Sequence, residues 1–303
     1  MISRYKYKNL TWIDLDSPTK EEIFSLMEEF NITALIGDEL IKKSLRSKVD
    51  FNNNLIYLIL HFPTTGTIKG EYIEQEIDFI IGKNFIITTH YELIDPLYEF
   101  SKLFEVSSIL DKSNIGDHAG FLFFYIIKEL YKHSMFQLEN IYDELKRIEK
   151  NIFQNKEGEV VKTISDVNRQ LLNFKQAIRF HDEVLKSFES AGIIFFGEKF
   201  NHHLLSIISE YNKVQNTLNS NKEMLDDLQA TNDSLLTNKT NEIMKKLTIL
   251  TFIILPLTFI AEIFGMNIAF FDFKHINRVV LIIIGMIIIA FIMFFYFKAK
   301  KWL

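Results

Sequence analysis

The chain has 303 residues, of which 48% are hydrophobic and 24% are charged, and its formal net charge is −5. It contains no cysteine, which excludes disulfides and any cysteine-based metal site or nucleophile. The negative charge and the lack of a Lys/Arg stripe argue against a nucleic-acid partner. The N-terminal segment has no apolar signal-peptide core, so we expect the large N-terminal part to stay in the cytoplasm.

Residues 1–120 are predicted to form an α/β domain. Runs rich in Ile, Phe and Tyr predict strands in NLTWIDLD, NLIYLILHF and IDFIIGKNFIITTH, with a hairpin turn at 82–84. After the first strand, Ser17 is predicted to be a helix N-cap and Pro18 the first helical residue.

Residues 121–198 are predicted to be helical, with one helix ending near Phe153 and a second continuing to near Gly192. A third helix is predicted from about residue 199 to residue 264. Its apolar residues repeat every seven positions, which predicts packing against other helices along its length. The two series are Leu204, Tyr211, Leu218 and Leu225, and Ile207, Val214, Leu228 and Leu235, with Asn221 and Asn232 at the weak places.

Two apolar segments, residues 247–264 and 279–297, have about 18 and 19 residues, close to the roughly 20 that a helix needs to cross a bilayer. The first is the end of the long helix, and residues 265–278 connect it to the second. We therefore expect a stalk helix that continues into a first membrane span, an external loop and a second span.

The orientation of the spans follows from the distribution of basic residues. Lys245 and Lys246 precede the first span and the basic tail 298–303 follows the second, whereas the loop holds only Lys274 and Arg278. The positive-inside rule predicts that both chain ends are cytoplasmic.

Polar residues recur at intervals of three or four in the first span, which places them on one helical face. From periodicity alone this face is either a seam between helices, joined by threonine hydroxyls, or the lining of a pore. We call it the polar stripe; it consists of Asn241, Met244, Thr248, Thr251, Leu255, Thr258 and Glu262.

The first span and its end carry a family resemblance. The segment TNEIMKKLTILTFIILPLTFIAEIFGMN resembles the pore helix and Gly-Met-Asn signature of the CorA-type divalent-cation channels, and FKAKKWL resembles their C-terminus. TWIDLDSPTKEE, RSKVDFNNNLIYLIL and GKNFIITT fall where the family has similar segments. The resemblance implies a homopentamer in the inner (plasma) membrane, with an α/β cytoplasmic funnel and five inner helices around one pore. It implies a channel for Mg²⁺, with Co²⁺ and Ni²⁺ often admitted, rather than an enzyme, and no cofactor.

Under this resemblance, Gly265, Met266 and Asn267 form the selectivity filter. Mg²⁺ holds its waters tightly, so a ring of neutral amide oxygens from Asn267 suits the hydrated ion. Gly265 lets the chain leave the helix, and Met266 supports the ring. The other pore positions that the resemblance implies are polar at Asn241 and Thr258 and hydrophobic at Met244, Leu247 and Leu255.

Glu262 departs from the family, which usually has a small residue there. Because it continues the polar stripe, we predict that it forms a second cation site beside Asn267. The alternative is a Glu262 side chain turned off the pore axis and bonded to a neighbouring helix or to Lys274 or Arg278.

Ala230 is a second departure, at a position where relatives with a regulatory Mg²⁺ site between protomers have an acid, and the partner segment HFPTTGTIKG has no acid either. Regulation by cytoplasmic Mg²⁺ is expected to be weaker or to use other acids, namely Asp226, Asp227 and Asp233.

Two other functions stay open. One is a zinc transporter of the same fold, with proton coupling undecided, against which Met266 argues because that branch usually varies this residue. The other is a two-span coiled-coil sensor or scaffold without a pore.

Overall fold

The structure is a computed structural model that describes residues 2–44, 46–52, 54–65, 72–92, 94–109, 116–154, 157–265, 276–300 and 302. The chain divides into two compact units, Met1–Gln229 and Ala230–Leu303. We call these the α/β unit and the membrane unit.

A six-stranded sheet is the centre of the α/β unit. Its strands are β1 (Ile2–Tyr7), β2 (Leu10–Asp16), β3 (Lys48–Asn52), β4 (Leu55–Thr65), β5 (Tyr72–Ile81) and β6 (Phe85–His90). Their order across the sheet is β1-β2-β6-β5-β4-β3. β2 and β6 pair in parallel, and the other neighbours are antiparallel. The predicted turn at 82–84 connects β5 to β6, where the amide of Gly82 donates to the carbonyl of Phe85 at 2.9 Å.

Eight helices follow or flank these strands in the described part of the chain. They are α1 (Lys20–Phe30), α2 (Ala34–Glu39), α3 (Asp95–Ile109), α4 (Ala119–Phe153), α5 (Glu157–Ile178), α6 (His181–Phe196), α7 (Asn201–Gly265) and α8 (Ile276–Ala299). A 3₁₀ turn, Glu198–Phe200, precedes α7.

Both faces of the sheet are covered, because successive residues of a strand point to opposite sides. On one face, Ile23 of α1 belongs to a single buried cluster with Ile59 and Ile87 of the sheet. On the other face, the rings of Trp12 and Phe104 lie 5.9 Å apart, and those of Phe79 and Phe123 lie 5.2 Å apart. This second face packs against α3 and α4.

The predicted start of α1 is wrong by two residues. Thr19, not Ser17, is the N-cap, because its hydroxyl accepts from the amide of Glu22 while the Glu22 carboxylate accepts from the amide of Thr19. This reciprocal pair satisfies two backbone donors at the helix start. Ser17 instead has a left-handed φ of 46°, and its hydroxyl donates to Asp16 and to the Tyr91 carbonyl.

The helix predicted to continue to near Gly192 is two helices, α5 and α6, which are separated at Arg179–Phe180. The first residue of α6, His181, is fully buried. Its Nε2 donates to the carbonyl of His61 in β4, and its Nδ1 accepts from the hydroxyl of Tyr131 in α4, each at 2.8 Å. These contacts fix the chain at a point where the hydrophobic period gives no sign of a break.

The heptad positions of α7 within the α/β unit are buried, as the repeat predicts. Leu204, Leu218 and Leu225 are all below 4% exposed. Asn221 is also buried, and its amide donates to the carbonyl of Leu138 in α4 at 2.9 Å. The polar interruption is thus a hydrogen bond between helices rather than a gap in the packing.

The membrane unit contains the end of α7 and all of α8. Both helices are long and apolar enough to span a bilayer. The predicted fold class, an α/β domain with a long helix and two membrane-spanning helices, is confirmed. The pentamer and the remaining boundaries stay predictions.

His181→Phe should destabilise the protein, because it leaves the His61 carbonyl and the Tyr131 hydroxyl buried without a partner, at about 1–3 kcal/mol each. Burial lowers the pKa of His181 to about 3. The neutral ring therefore contributes stability above the unfolded pKa of about 6.5, and this is lost as the pH falls toward 3.

Thermal unfolding of the detergent-solubilised chain tests this. We expect a lower Tm for His181→Phe at pH 7.5 and a smaller further decrease at pH 5 than the unaltered protein shows. His202→Phe, which replaces an exposed histidine of α7, is the control. An unchanged Tm for His181→Phe would contradict the role of these contacts.

Candidate functional site

One face of α7 is covered within the membrane unit. Ile249 is 2% exposed, although most residues around it are exposed. At about 100° per residue, the half-buried residues lie on the same side as Ile249. They are Ile253, Pro256, Leu257, Ile260 and Phe264.

A matching face exists on α8. Phe297 is buried, and the half-buried residues recur at helical intervals: Ile282, Gly285, Met286, Ile289, Ala290 and Met293. Since α7 and α8 are the two described helices of this unit, we assign both faces to the contact between them.

The polar stripe lies on the opposite side of α7. Thr251 precedes Ile260 by nine residues, which at about 100° per residue places them about 180° apart. The same separation holds for Leu255 and Phe264. Every residue of the stripe, and also Leu247, is exposed in the single chain. The stripe is therefore not the seam between α7 and α8.

The threonine hydroxyls of the stripe donate to the backbone of their own helix. Thr248 donates to the Met244 carbonyl at 2.8 Å, Thr251 to the Leu247 carbonyl at 3.0 Å, and Thr258 to the Leu255 carbonyl at 2.8 Å. A hydroxyl has one proton and two lone pairs, so each threonine can only accept a further hydrogen bond while it keeps this geometry.

Three residues of the stripe, Thr248, Thr251 and Leu255, border an open groove of about 330 Å³ that also reaches α8. It is lined by Leu247, Thr248, Thr251, Phe252, Leu255 and Pro256 of α7 and by Met293 of α8. The groove is mainly apolar, and no described residue of this chain fills it.

Glu262 is exposed at the last full turn of the stripe. In the described part of the chain its carboxylate has no hydrogen bond or ion pair, and no group of three or more His, Asp or Glu side chains could hold a metal ion. Gly265 is the last residue of α7. Met266, Asn267 and Lys274 lie outside the described residues, so their predicted roles remain predictions.

The three acids predicted to take part in regulation are all exposed. Asp226 forms an ion pair with Lys222 at 2.6 Å. Asp227 and Asp233 have no ion pair among the described residues. Their regulatory role stays a prediction.

Sequence reasoning missed two acids inside the α/β unit. Asp78 is fully buried and Glu76 is 5% exposed, both on the same face of β5. The signal was present in EQEIDFII, where two acids alternate with apolar residues in a strand that is otherwise buried.

Together these features define a class of protein. A long helix leaves an α/β unit, crosses the membrane beside a second helix, and carries a polar face that its partner does not cover. This is the arrangement of a two-span membrane transport protein.

The comparison with known families identifies which one. The family described as CorA-like Mg²⁺ transporter protein matches residues 7–300, so the chain belongs to that family. Its members are transporters rather than enzymes.

Individual relatives agree with this. The cobalt/magnesium transport protein CorA of Thermotoga maritima is 28% identical over 308 residues, which cover 97% of this chain and 83% of the relative. The structure of the CorA magnesium transporter of Methanocaldococcus jannaschii aligns with a TM-score of 0.83 at 21% identity, over 99% of this chain and 93% of that one. The ZntB cytoplasmic domain of Vibrio parahaemolyticus aligns with a TM-score of 0.60 at 13% identity, over 77% of this chain and 89% of that one. At these identities the two structures show the fold alone.

The orientation of the stripe can be tested by cysteine substitution, since the chain has no cysteine of its own. Thr251→Cys and Leu255→Cys should react quickly with a water-soluble cationic thiol reagent in proteoliposomes. Ile253→Cys and Leu257→Cys lie at nearly the same depth but face α8, and should react slowly. Equal reaction rates for Thr251→Cys and Ile253→Cys, or for Leu255→Cys and Leu257→Cys, would contradict the assignment of the two faces.

Proposed function

We propose that this chain forms a homopentameric channel that carries Mg²⁺ into the cell through the plasma membrane, with both chain ends in the cytoplasm. Co²⁺ and Ni²⁺ are further proposed substrates. Membership of the CorA-like family supports transport, and the T. maritima relative is named for cobalt and magnesium. The observation that carries the proposal is the polar stripe, which lies opposite the face of α7 that packs on α8.

A single copy of the membrane unit cannot enclose an aqueous path. The stripe is exposed, and polar side chains in a membrane span normally face protein or water rather than lipid. Several α7 helices around one axis would turn their stripes toward a shared pore. The apolar groove beside the stripe would receive side chains of the next α7.

The threonines suit a hydrated cation. The outer surface of a hydrated Mg²⁺ consists of water hydrogens, so it needs hydrogen-bond acceptors around it. Thr248, Thr251 and Thr258 give their protons to the backbone and keep lone pairs for such waters. An anion, whose hydration shell presents oxygens, finds no donor in these three hydroxyls while they keep this geometry.

The remaining roles follow the family resemblance. Asn267 is the proposed selectivity ring, with Gly265 and Met266 shaping the turn that places it. Met244, Leu247 and Leu255 are proposed hydrophobic constrictions, which can close a pore by dewetting. A divalent ion that moves inward gains about 4.6 kcal/mol per 100 mV, twice the value for a single charge, so no ATP is needed.

Glu262 is the proposed second cation site. Its carboxylate lies on the stripe and has no partner among the described residues. Five such carboxylates around one axis would attract a divalent ion and would repel one another when no ion is present.

Asn267→Ala should reduce Mg²⁺ flux in proteoliposomes to the level of empty vesicles, because the amide that holds the hydrated ion is removed. Asn277→Ala, the same change ten residues further along, should leave the flux unchanged. Cross-linking should show the same oligomer for both variants.

Near-normal Mg²⁺ flux through Asn267→Ala would contradict the filter. Zn²⁺ flux that exceeds Mg²⁺ flux and follows a pH gradient would favour the zinc transporter. An absence of any divalent flux from the unaltered protein would favour a scaffold.

Glu262→Gln should raise the half-saturating Mg²⁺ concentration about tenfold, since hydrogen bonds to charged groups contribute about 1.5–3 kcal/mol. Glu242→Gln is the control, because Glu242 lies on the same helix about 200° away from Glu262. Equal Mg²⁺ dependence for the two variants would leave Asn267 as the only outer site.

A further inference from the structure

Asp78 is an acid in the hydrophobic interior of the α/β unit. It lies at the middle of β5, between Ile59 of β4 and Thr89 of β6, and its side chain is fully buried. Neither carboxyl oxygen has a hydrogen-bond donor among the described residues. A buried, ionised carboxylate without donors costs several kilocalories per mole, so this group needs a proton or a cation.

Glu76 is the nearest acid. It stands two residues before Asp78 on the same strand, so both side chains point to the same face of the sheet. One oxygen of Glu76 accepts from the amide of Ser44, and Nε2 of His61 lies 4.0 Å from the same oxygen. Its side chain is only 3% exposed.

Other titratable groups face this pair from each element around it. The cationic groups are already engaged: Lys48 of β3 pairs with Glu39 at 2.6 Å and with Asp50 at 2.7 Å, and Lys43 pairs with Glu92 at 3.4 Å. The remaining groups are Glu39 of α2, Tyr57 and His61 of β4, and Tyr91 after β6.

In the described residues no three His, Asp or Glu side chains are arranged to hold a metal ion. The carboxyl groups of Asp78 and Glu76 can contact each other favourably only when one of them is protonated.

We propose that Asp78 and Glu76 share a proton, and that this proton fixes the connector between α2 and β3. The connector comprises the described residues 40–44 and 46–47. In the shared state Asp78 donates to Glu76, and Glu76 accepts from Ser44 with its other contacts unchanged. Loss of the last proton would leave two buried negative charges side by side and would release the connector.

Four hydrogen bonds join the connector to residues of this cluster. The Tyr91 hydroxyl donates to the Leu40 carbonyl at 3.2 Å. His61 Nε2 donates to the Ser44 carbonyl at 2.9 Å, and the Ser47 hydroxyl donates to His61 Nδ1 at 2.9 Å. The fourth hydrogen bond is donated by the backbone N–H of Ser44 to a carboxylate oxygen of Glu76. The connector is thus attached to β4, β5 and β6 through side chains whose neighbours titrate.

The electrostatics of the pair give the sign of the pH dependence. Burial raises the pKa of Asp78 well above its ordinary value, and the charge of Glu76 raises it further. Burial also raises the pKa of Glu76, against the lowering effect of the hydrogen bond from the Ser44 amide. Because both pKa values are raised, the stability that the pair contributes is fully present below the unfolded values near 4 and is lost as the pH rises through the folded ones.

Hydrogen–deuterium exchange of the full-length protein tests the switch. The exchange rates are first corrected for the chemical exchange rate at each pH. Amide protection in the connector should then fall at least about tenfold between pH 6 and pH 9, because a pKa difference of one unit corresponds to a tenfold change in an equilibrium constant. Asp78→Asn removes one of the two titrating groups, and its amide can donate to Glu76 without a titratable proton, so its protection should depend less on pH than that of the unaltered protein. Asp143→Asn, which alters an exposed acid of α4, should keep the dependence of the unaltered protein.

A second measurement does not depend on the folding of any variant. Aspartate labelled with ¹³C at its side-chain carboxyl should give an isotope-shifted band of a protonated acid in the infrared spectrum at pH 7, because exposed aspartates are ionised there. Absence of this band, or connector protection that does not change with pH in the unaltered protein, would overturn the proposal. Equal pH dependence in Asp78→Asn would overturn it as well.

Discussion

A polar group on a membrane-spanning helix must find a partner other than lipid, and this constraint decides what α7 can do. The threonines of the stripe meet it locally, because their hydroxyls bond to carbonyls of the same helix. Glu262 cannot, since a carboxylate accepts only, and the backbone amides of a helix interior are already used. No described side chain pairs with Glu262, so its carboxylate needs a partner from water, from the rest of the chain or from another copy of the chain.

The α/β unit places polar groups in its interior by a different means. Burial disfavours the charged form of any group, so it lowers the pKa of His181 and raises that of Asp78. The two groups differ in their partners: each ring nitrogen of His181 has one, whereas neither carboxyl oxygen of Asp78 has a hydrogen-bond partner among the described residues. His181 thus joins β4, α4 and α6, and Asp78 is the group for which we propose a proton shared with Glu76.

The sequence predicted what depends on local pattern. The strands, the heptad of α7 and the positions of the stripe all follow from periodicity. Contacts between distant residues were not predictable: the break before His181 depends on Tyr131 and His61, and the position of Ser17 depends on Tyr91. The N-cap at Thr19 is different, because its partner Glu22 is three residues away and the Thr-x-x-Glu pattern is visible in the sequence. The direction of the stripe was open for a reason similar to that of the distant contacts. Because nearly every residue of α8 is apolar, its contact face has no sequence signal, and only the exposure of each residue reveals it.

In the proposed pore, the neutral and charged residues have different tasks. A threonine or asparagine oxygen that accepts a hydrogen bond from a bound water distinguishes a hydrated cation from an anion, but responds only weakly to whether the cation carries one charge or two. Coulombic attraction to a carboxylate doubles when the charge of the ion doubles. A ring of Glu262 would therefore favour divalent over monovalent ions where the stripe alone would not. With a small residue at position 262, selection of divalent over monovalent ions would depend on the proposed ring of Asn267 amides and on how tightly each ion holds its water.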